Sequence, residues 1–205
     1  MGISIPDRIV AFDYGEVISR SPSPADRQAL LDIAGVAAEP FWAAYDRFRD
    51  ELDQGVILPV EYWARVGDEV GASWPPATVQ HLWIADFRSW FSLEPAVLGL
   101  LGELREGGTR LVLLSNAGFD FGDPFRYSPM GGFFERVFVS AELGLIKPDP
   151  EIYRVVLAEL GVGADELIFV DNKQVNVDGA ASLGITAHRF VGVPELRAFL
   201  EGLAA

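Results

Sequence analysis

The most constraining stretch of this chain is Ile9-Val10-Ala11-Phe12-Asp13-Tyr14-Gly15-Glu16-Val17-Ile18. Four apolar residues run straight into an aspartate, and a glycine and two β-branched residues come after it. An apolar run this short, bounded by turn chemistry, reads as a strand buried on both faces of a parallel sheet. Open α/β sheets bind ligands beyond the carboxyl ends of their strands, so the run delivers Asp13 to such a place. An aspartate closing a strand is also an ordinary turn residue. Asp13 gains weight only if other strands end on matching groups.

Behind Ile18 the pattern changes. Residues 19–26 are rich in Ser, Pro and Arg and read as a linker. Up to about Trp90 apolar residues then recur at helical steps. Phe41, Trp42, Tyr45, Phe48 and Leu52 form one face, Tyr62, Trp63, Val66 and Val70 a second, and Val79, Leu82, Trp83 and Phe87 a third. These aromatic side chains are expected to form a local core; Arg47 and Arg49 could meet an anionic leaving group, but the expected reading is solvated helix arginines. Residues 19–90 are thus expected to make a helical module inserted into a core of residues 1–18 and 91–205.

From Pro95 helix and strand alternate. Leu111–Leu114 run into Ser115-Asn116, and Arg136–Val139 form a third strand. Lys147-Pro148-Asp149-Pro150 opens a helix reaching about Leu160. Leu167–Val170 end at Asp171-Asn172, residues 176–183 are helical, residues 185–190 form a fifth strand, and residues 193–203 a last helix. The alternation predicts an α/β fold with a doubly wound, mostly parallel sheet. The Gly-, Pro- and Phe-rich residues 119–132, including Arg126 and Tyr127, have no assigned element and are candidates for a pocket mouth.

Charge and composition narrow the partners. The net charge is −14, with acidic residues spread along the chain, which argues against a nucleic-acid or anionic-membrane surface. No apolar run approaches the roughly eighteen residues that span a bilayer, and no signal peptide is visible, so a cytoplasmic location is expected. The absence of cysteine excludes disulfides and thiolate chemistry. Lysine occurs only twice, as Lys147 and Lys173.

Four strand ends or the loops after them therefore carry polar groups: Asp13, Ser115-Asn116, Lys147 and Asp171-Asn172. Singly, each has an ordinary reading: Ser115 as a helix cap, Lys147 as a solvated lysine, Asp171-Asn172 as a turn and Asn176 as a loop brace. Together, at these separations and with a helical insertion behind the first strand, they resemble the haloacid dehalogenase-like hydrolase superfamily. Leu114-Ser115-Asn116, Gly144 to Pro150, and Val170-Asp171-Asn172 with Asn176 and Gly179-Ala180 are similar to its second, third and fourth motifs. The resemblance covers the whole chain and implies a Rossmann-like core with a small helical cap.

It also implies a reaction. Asp13 would attack phosphorus, and water would hydrolyse the aspartyl-phosphate. Mg²⁺ would be held by Asp13, the Gly15 carbonyl and the acidic fourth motif, Asp171 and Asn172. Ser115 and Asn116 would hold the phosphoryl oxygens, and Lys147 would add a fixed positive charge. The implied partner is a small phosphorylated molecule; homo-oligomerisation is not readable.

The sequence departs from the family pattern twice. Most phosphatases of the family carry a general acid–base aspartate two residues after the nucleophile, where this chain has Gly15. Such catalysis is worth about 10²–10⁴-fold, so activity is expected to be weak unless another group substitutes, with Glu16 the nearest candidate. Asn172 stands where the main metal carboxylate is expected; an amide oxygen coordinates without charge, so Mg²⁺ affinity should fall. These departures leave two alternatives: an inactive binding protein on this scaffold, and a metal-independent 2-haloacid dehalogenase. Members of that group carry a tyrosine two residues after the nucleophile, whereas Tyr14 is one residue away.

Overall fold

The computed structural model describes residues 2–204, so Met1 and Ala205, the two ends of the expected core, lie outside the described residues. Five strands form one sheet: β1 (Ile9–Phe12), β2 (Arg110–Ser115), β3 (Arg136–Val139), β4 (Leu167–Asp171) and β5 (Thr186–Arg189). They lie in the order β3-β2-β1-β4-β5, and every pairing is parallel. Val10, Phe12, Leu111, Leu113, Ile168 and Val170 pack on one face. Ile9, Ala11, Val112, Leu114, Leu167 and Phe169 pack on the other. Both faces are covered, which is why these strands read as unbroken apolar runs rather than as alternating ones. The chain winds from β1 through β2 to β3, then crosses back to β4 on the other side of β1. That reversal opens a crevice at the carboxyl ends of the central strands.

The insertion holds five helices: α1 (Pro24–Ala34), α2 (Ala38–Arg47), α3 (Arg49–Asp53), α4 (Pro59–Glu69) and α5 (Pro76–Ser89). Phe41, Tyr45, Leu52, Tyr62, Trp63, Val66 and Leu82 are buried together in a core of their own. The first helix begins earlier than its apolar pattern indicates. Ser23 Oγ accepts from Asp26 N while Asp26 takes the Ser23 N–H, a reciprocal cap that organises the end of the expected linker.

Six further helices belong to the sheet layer: α6 (Pro95–Glu106), α7 (Gly122–Tyr127), α8 (Ser140–Leu143), α9 (Pro150–Leu160), α10 (Gln174–Ala181) and α11 (Val193–Glu201). Residues of α6, α7 and α11 cover one face and residues of α9 and α10 the other. The unassigned residues 119–132 contain α7 between two short 3₁₀ turns, with Phe121 and Phe125 buried.

Insertion and sheet layer are tied at several places, including a bond from Trp83 Nε1 of α5 to Asp120 Oδ2 at 2.6 Å. The entering and leaving segments pair antiparallel at Ser19 and Leu93, with Arg20 N donating to Ser92 O at 2.7 Å and Glu94 N to Ile18 O at 2.8 Å. On the far side, Ser140 Oγ donates to the Asp53 carbonyl and Gln54 Nε2 to the Gly144 carbonyl. Gly55 has φ +76° there, and a Cβ would sit 2.6 Å from the Ala141 carbonyl oxygen. Only glycine allows that approach without strain.

Candidate active site

A cavity of about 260 Å³ lies between the carboxyl ends of the strands and the helical insertion. Asp13, Gly15, Glu16, Ser115, Asn116, Lys147, Asn172 and Asn176 all line it, so residues scattered over more than 160 positions converge on one space. The volume is below the ~300–1,000 Å³ typical of drug-sized ligands. It suits a small molecule.

Lys147 is the hub. Its Nζ donates to Asp13 Oδ1 at 2.7 Å, to Asp171 Oδ2 at 2.8 Å and to the Leu114 carbonyl at 2.9 Å, and all three ionisable side chains are buried. Burial alone would strip the proton from Lys147, but the two carboxylates outweigh it and its pKa is raised. Burial pushes the Asp13 carboxyl up, Lys147 pulls it down and Asp171 pushes it up again, leaving it at about 6. Lys147, which in isolation reads as a solvated lysine, is a buried cation held by two acids, the arrangement a buried charge requires.

Two of the expected site residues are engaged by Lys147 and its neighbours. Asn116, expected to bind substrate, lines the cavity, and its carboxamide grips the Lys147 backbone, Nδ2 donating to Lys147 O and Oδ1 accepting from Lys147 N, both at 2.9 Å. Asn116 sets the height of Lys147. Asp171 was expected among the metal ligands, yet it is fully buried behind Lys147 and is not part of the cavity wall. Its oxygens accept from Lys147 Nζ, from Lys173 N and, at both oxygens, from Asn176 Nδ2. Asn176, in the first turn of α10, braces Asp171.

Asn172 does face the cavity. Its Nδ2 donates to Glu16 Oε2 at 2.7 Å, and because a carboxylate can only accept, this bond fixes which way the amide points. Asn172 Oδ1 is left buried with no hydrogen-bond partner among the described residues. A buried oxygen of this kind is costly unless something occupies it, and Asp13 and Gly15 line the same cavity. An all-oxygen donor set with one amide and one carboxylate fits Mg²⁺, with water completing the shell. Glu16 has φ +60° and also accepts from Ser21 Oγ at 2.6 Å.

The insertion supplies the facing wall through Tyr45, Asp46, Arg49, Asp50 and Asp53. Arg49, expected to be solvated, is held by Asp86 at 3.0 Å, by Tyr45 OH at 3.0 Å and by Asp53 at 3.3 Å. Arg47 instead pairs with Glu69 on the outer surface. Phe121 and Phe125 border the cavity, whereas Arg126 pairs with Glu142 and Tyr127 is exposed. Asp53, Trp90 and Lys173 are wall residues that the sequence did not single out. For Lys173 a signal existed, since it is one of two lysines.

Residues 77–184, just over half the chain, match the family model of the haloacid dehalogenase-like hydrolases. The chain belongs to this family. This haloacid dehalogenase-like hydrolase is 29% identical to the sesquiterpene phosphatase astK of Aspergillus oryzae over 85% of both chains. It is 33% identical to the phosphoserine phosphatase of Thermus thermophilus over 86% of this chain and 66% of that one. Among solved structures, a haloacid dehalogenase-family enzyme from Bacteroides thetaiotaomicron shares the fold with TM-score 0.73 at 24% identity, over 92% of this chain and 94% of that one.

Proposed function

We propose that this hydrolase is a Mg²⁺-dependent phosphatase of a small phosphomonoester, with Asp13 as nucleophile. The observation that carries this reading is the Asp13–Lys147–Asp171 chain at the end of β1, set beside the unpartnered Asn172 oxygen. An Asp13 oxygen attacks phosphorus, the ester oxygen departs, and water then cleaves the aspartyl-phosphate. Lys147 orients the nucleophile and offsets charge gathering on the phosphoryl oxygens, which Ser115 at the end of β2 also faces. Asp13, the Gly15 carbonyl and Asn172 Oδ1 are the residues that would hold Mg²⁺. When bound, the ion supplies charge neutralisation between carboxylate and phosphate. The helical wall over the cavity excludes water and selects the leaving group.

Phosphatase names among the relatives support the reading, and the Bacteroides enzyme is known in complex with magnesium and inorganic phosphate. Against dehalogenation stands Tyr14, one residue rather than two after the nucleophile, whose hydroxyl is taken up by donating to the Trp90 carbonyl at 2.8 Å. The test is hydrolysis of p-nitrophenyl phosphate with Mg²⁺ and with EDTA, beside Asp13→Asn. Mg²⁺-dependent turnover that disappears in the variant is expected. Turnover untouched by the substitution would sink the reading, as would chloride release from 2-chloropropionate without metal.

A further inference from the structure

Cleaving a phosphate ester of an ordinary alcohol leaves an alkoxide unless a proton arrives with the departing oxygen. Gly15 has no side chain to deliver it. Apart from Asp13, four carboxylates line the cavity: Glu16, Asp46, Asp50 and Asp53. Both oxygens of Glu16 are already taken, by Ser21 and Asn172. Asp46 and Asp50 are exposed to solvent. Asp53 differs from all of them. Its side chain is 13% exposed, and its Oδ1 is buried without a hydrogen-bond donor among the described residues, although Arg49 lies 3.3 Å away as an ion-pair partner.

The position of Asp53 is held from the sheet side, through the Ser140 bond to its carbonyl and the Gln54 bond to Gly144. The groups facing it are Arg49 and Asp50 of its own helix, Asp86 from α5 and Lys173 from the loop before α10. Burial and the neighbouring acids outweigh the two cations and lift its carboxyl to about 6. A largely buried acid whose proton affinity is raised toward neutrality, in the wall of the cavity, is suited to give its proton away and take it back.

Resting on the phosphatase reading of Asp13, we propose that Asp53, supplied by the helical insertion, is the general acid and base of the reaction. As the Asp13–phosphorus bond forms and the ester P–O bond breaks, the Asp53 carboxyl passes its proton to the leaving oxygen, releasing the alcohol. The resulting Asp53 carboxylate takes a proton from water as the water oxygen bonds to phosphorus and the Asp13–phosphorus bond breaks. Phosphate leaves and the starting protonation is restored.

The test compares two leaving groups in Asp53→Asn. p-Nitrophenolate departs without a proton, whereas the alkoxide of glycerol 2-phosphate needs one. The variant is expected to lose about 10²–10⁴-fold in kcat/KM on glycerol 2-phosphate. With p-nitrophenyl phosphate it should still release a burst of p-nitrophenol and then stall as a phosphorylated enzyme, visible by intact-mass spectrometry. A second variant restores an acid elsewhere. A Cβ at Gly15 meets nothing closer than the Trp90 ring at 3.8 Å, so Gly15→Asp is sterically open. Adding it to Asp53→Asn should recover at least tenfold on glycerol 2-phosphate. Wild-type rates in Asp53→Asn overturn the proposal, and so does equal loss on both substrates without a phosphorylated enzyme, the signature of a structural role. An Asp13→Asn variant that still turns over either substrate removes the Asp13 reading itself and the proposal with it.

Discussion

At the residue scale, the site is governed by how buried charges are compensated. Removing Lys147 leaves Asp13 and Asp171 without the cation they share. Breaking a buried pair of this kind costs about 3–5 kcal/mol, so Lys147→Ala should lower the urea midpoint sharply as well as abolish turnover. Asn172 leads to a different prediction. Asn172→Asp puts a second carboxylate against Glu16 and removes the bond that now joins them. Without metal the variant should melt below wild type; with Mg²⁺ it should gain more in Tm than wild type does, because the added charge strengthens binding to the folded state. Equal Mg²⁺-induced shifts in the two proteins would place Asn172 outside the metal site. The sequence named Asp13, Ser115, Lys147 and Asn172 because each terminates a strand or lies in the loop after one, a local property. It could not say that Asn116 would turn to the Lys147 backbone or that Asp171 would lie behind the lysine, since both outcomes depend on partners more than twenty positions away.

At the element scale, one of the contacts between the helical insertion and the sheet layer is made by a short helix, α3, whose end rests on α8 at Gly55. Gly55→Ala combines an unfavourable backbone conformation with a Cβ 2.6 Å from the Ala141 carbonyl oxygen. The substitution should destabilise by roughly 1–3 kcal/mol and lift α3, with Asp53, off its seat. Activity on alkyl phosphates should then fall more than activity on p-nitrophenyl phosphate, a ratio measured by parallel kinetics. Helical periodicity made the aromatic core of the insertion legible, from Phe41 to Leu82. It also misassigned Arg49. A charged residue on an amphipathic helix is normally solvated, and only the arrival of Asp86 from another helix turns it inward.

At the scale of the whole molecule, Asp13 and Asp53 share a linkage consequence. Each carboxyl is raised from 3.8 to about 6, so the folded chain holds protons that the unfolded chain releases. That stabilisation is fully present below pH about 4 and is lost as pH rises through about 6. For Asp53 a shift of this size is on the order of 2–3 kcal/mol. Wild type and Asp53→Asn should therefore have similar Tm at pH 4.5 in EDTA, while at pH 7.5 the variant should be higher by several degrees; a constant difference across that range would show that Asp53 is not perturbed. The sequence by itself determined the parallel sheet and the residues at its strand ends, because burial on both faces writes an unbroken apolar run, and the end of that run marks where the polar groups sit. Only the tertiary structure decided which of those residues face the cavity, which way Asn172 points, and that an acid from the insertion lines the same cavity as Asp13. Those outcomes depend on desolvation and on hydrogen-bond partners brought together from distant parts of the chain, and no local pattern encodes either.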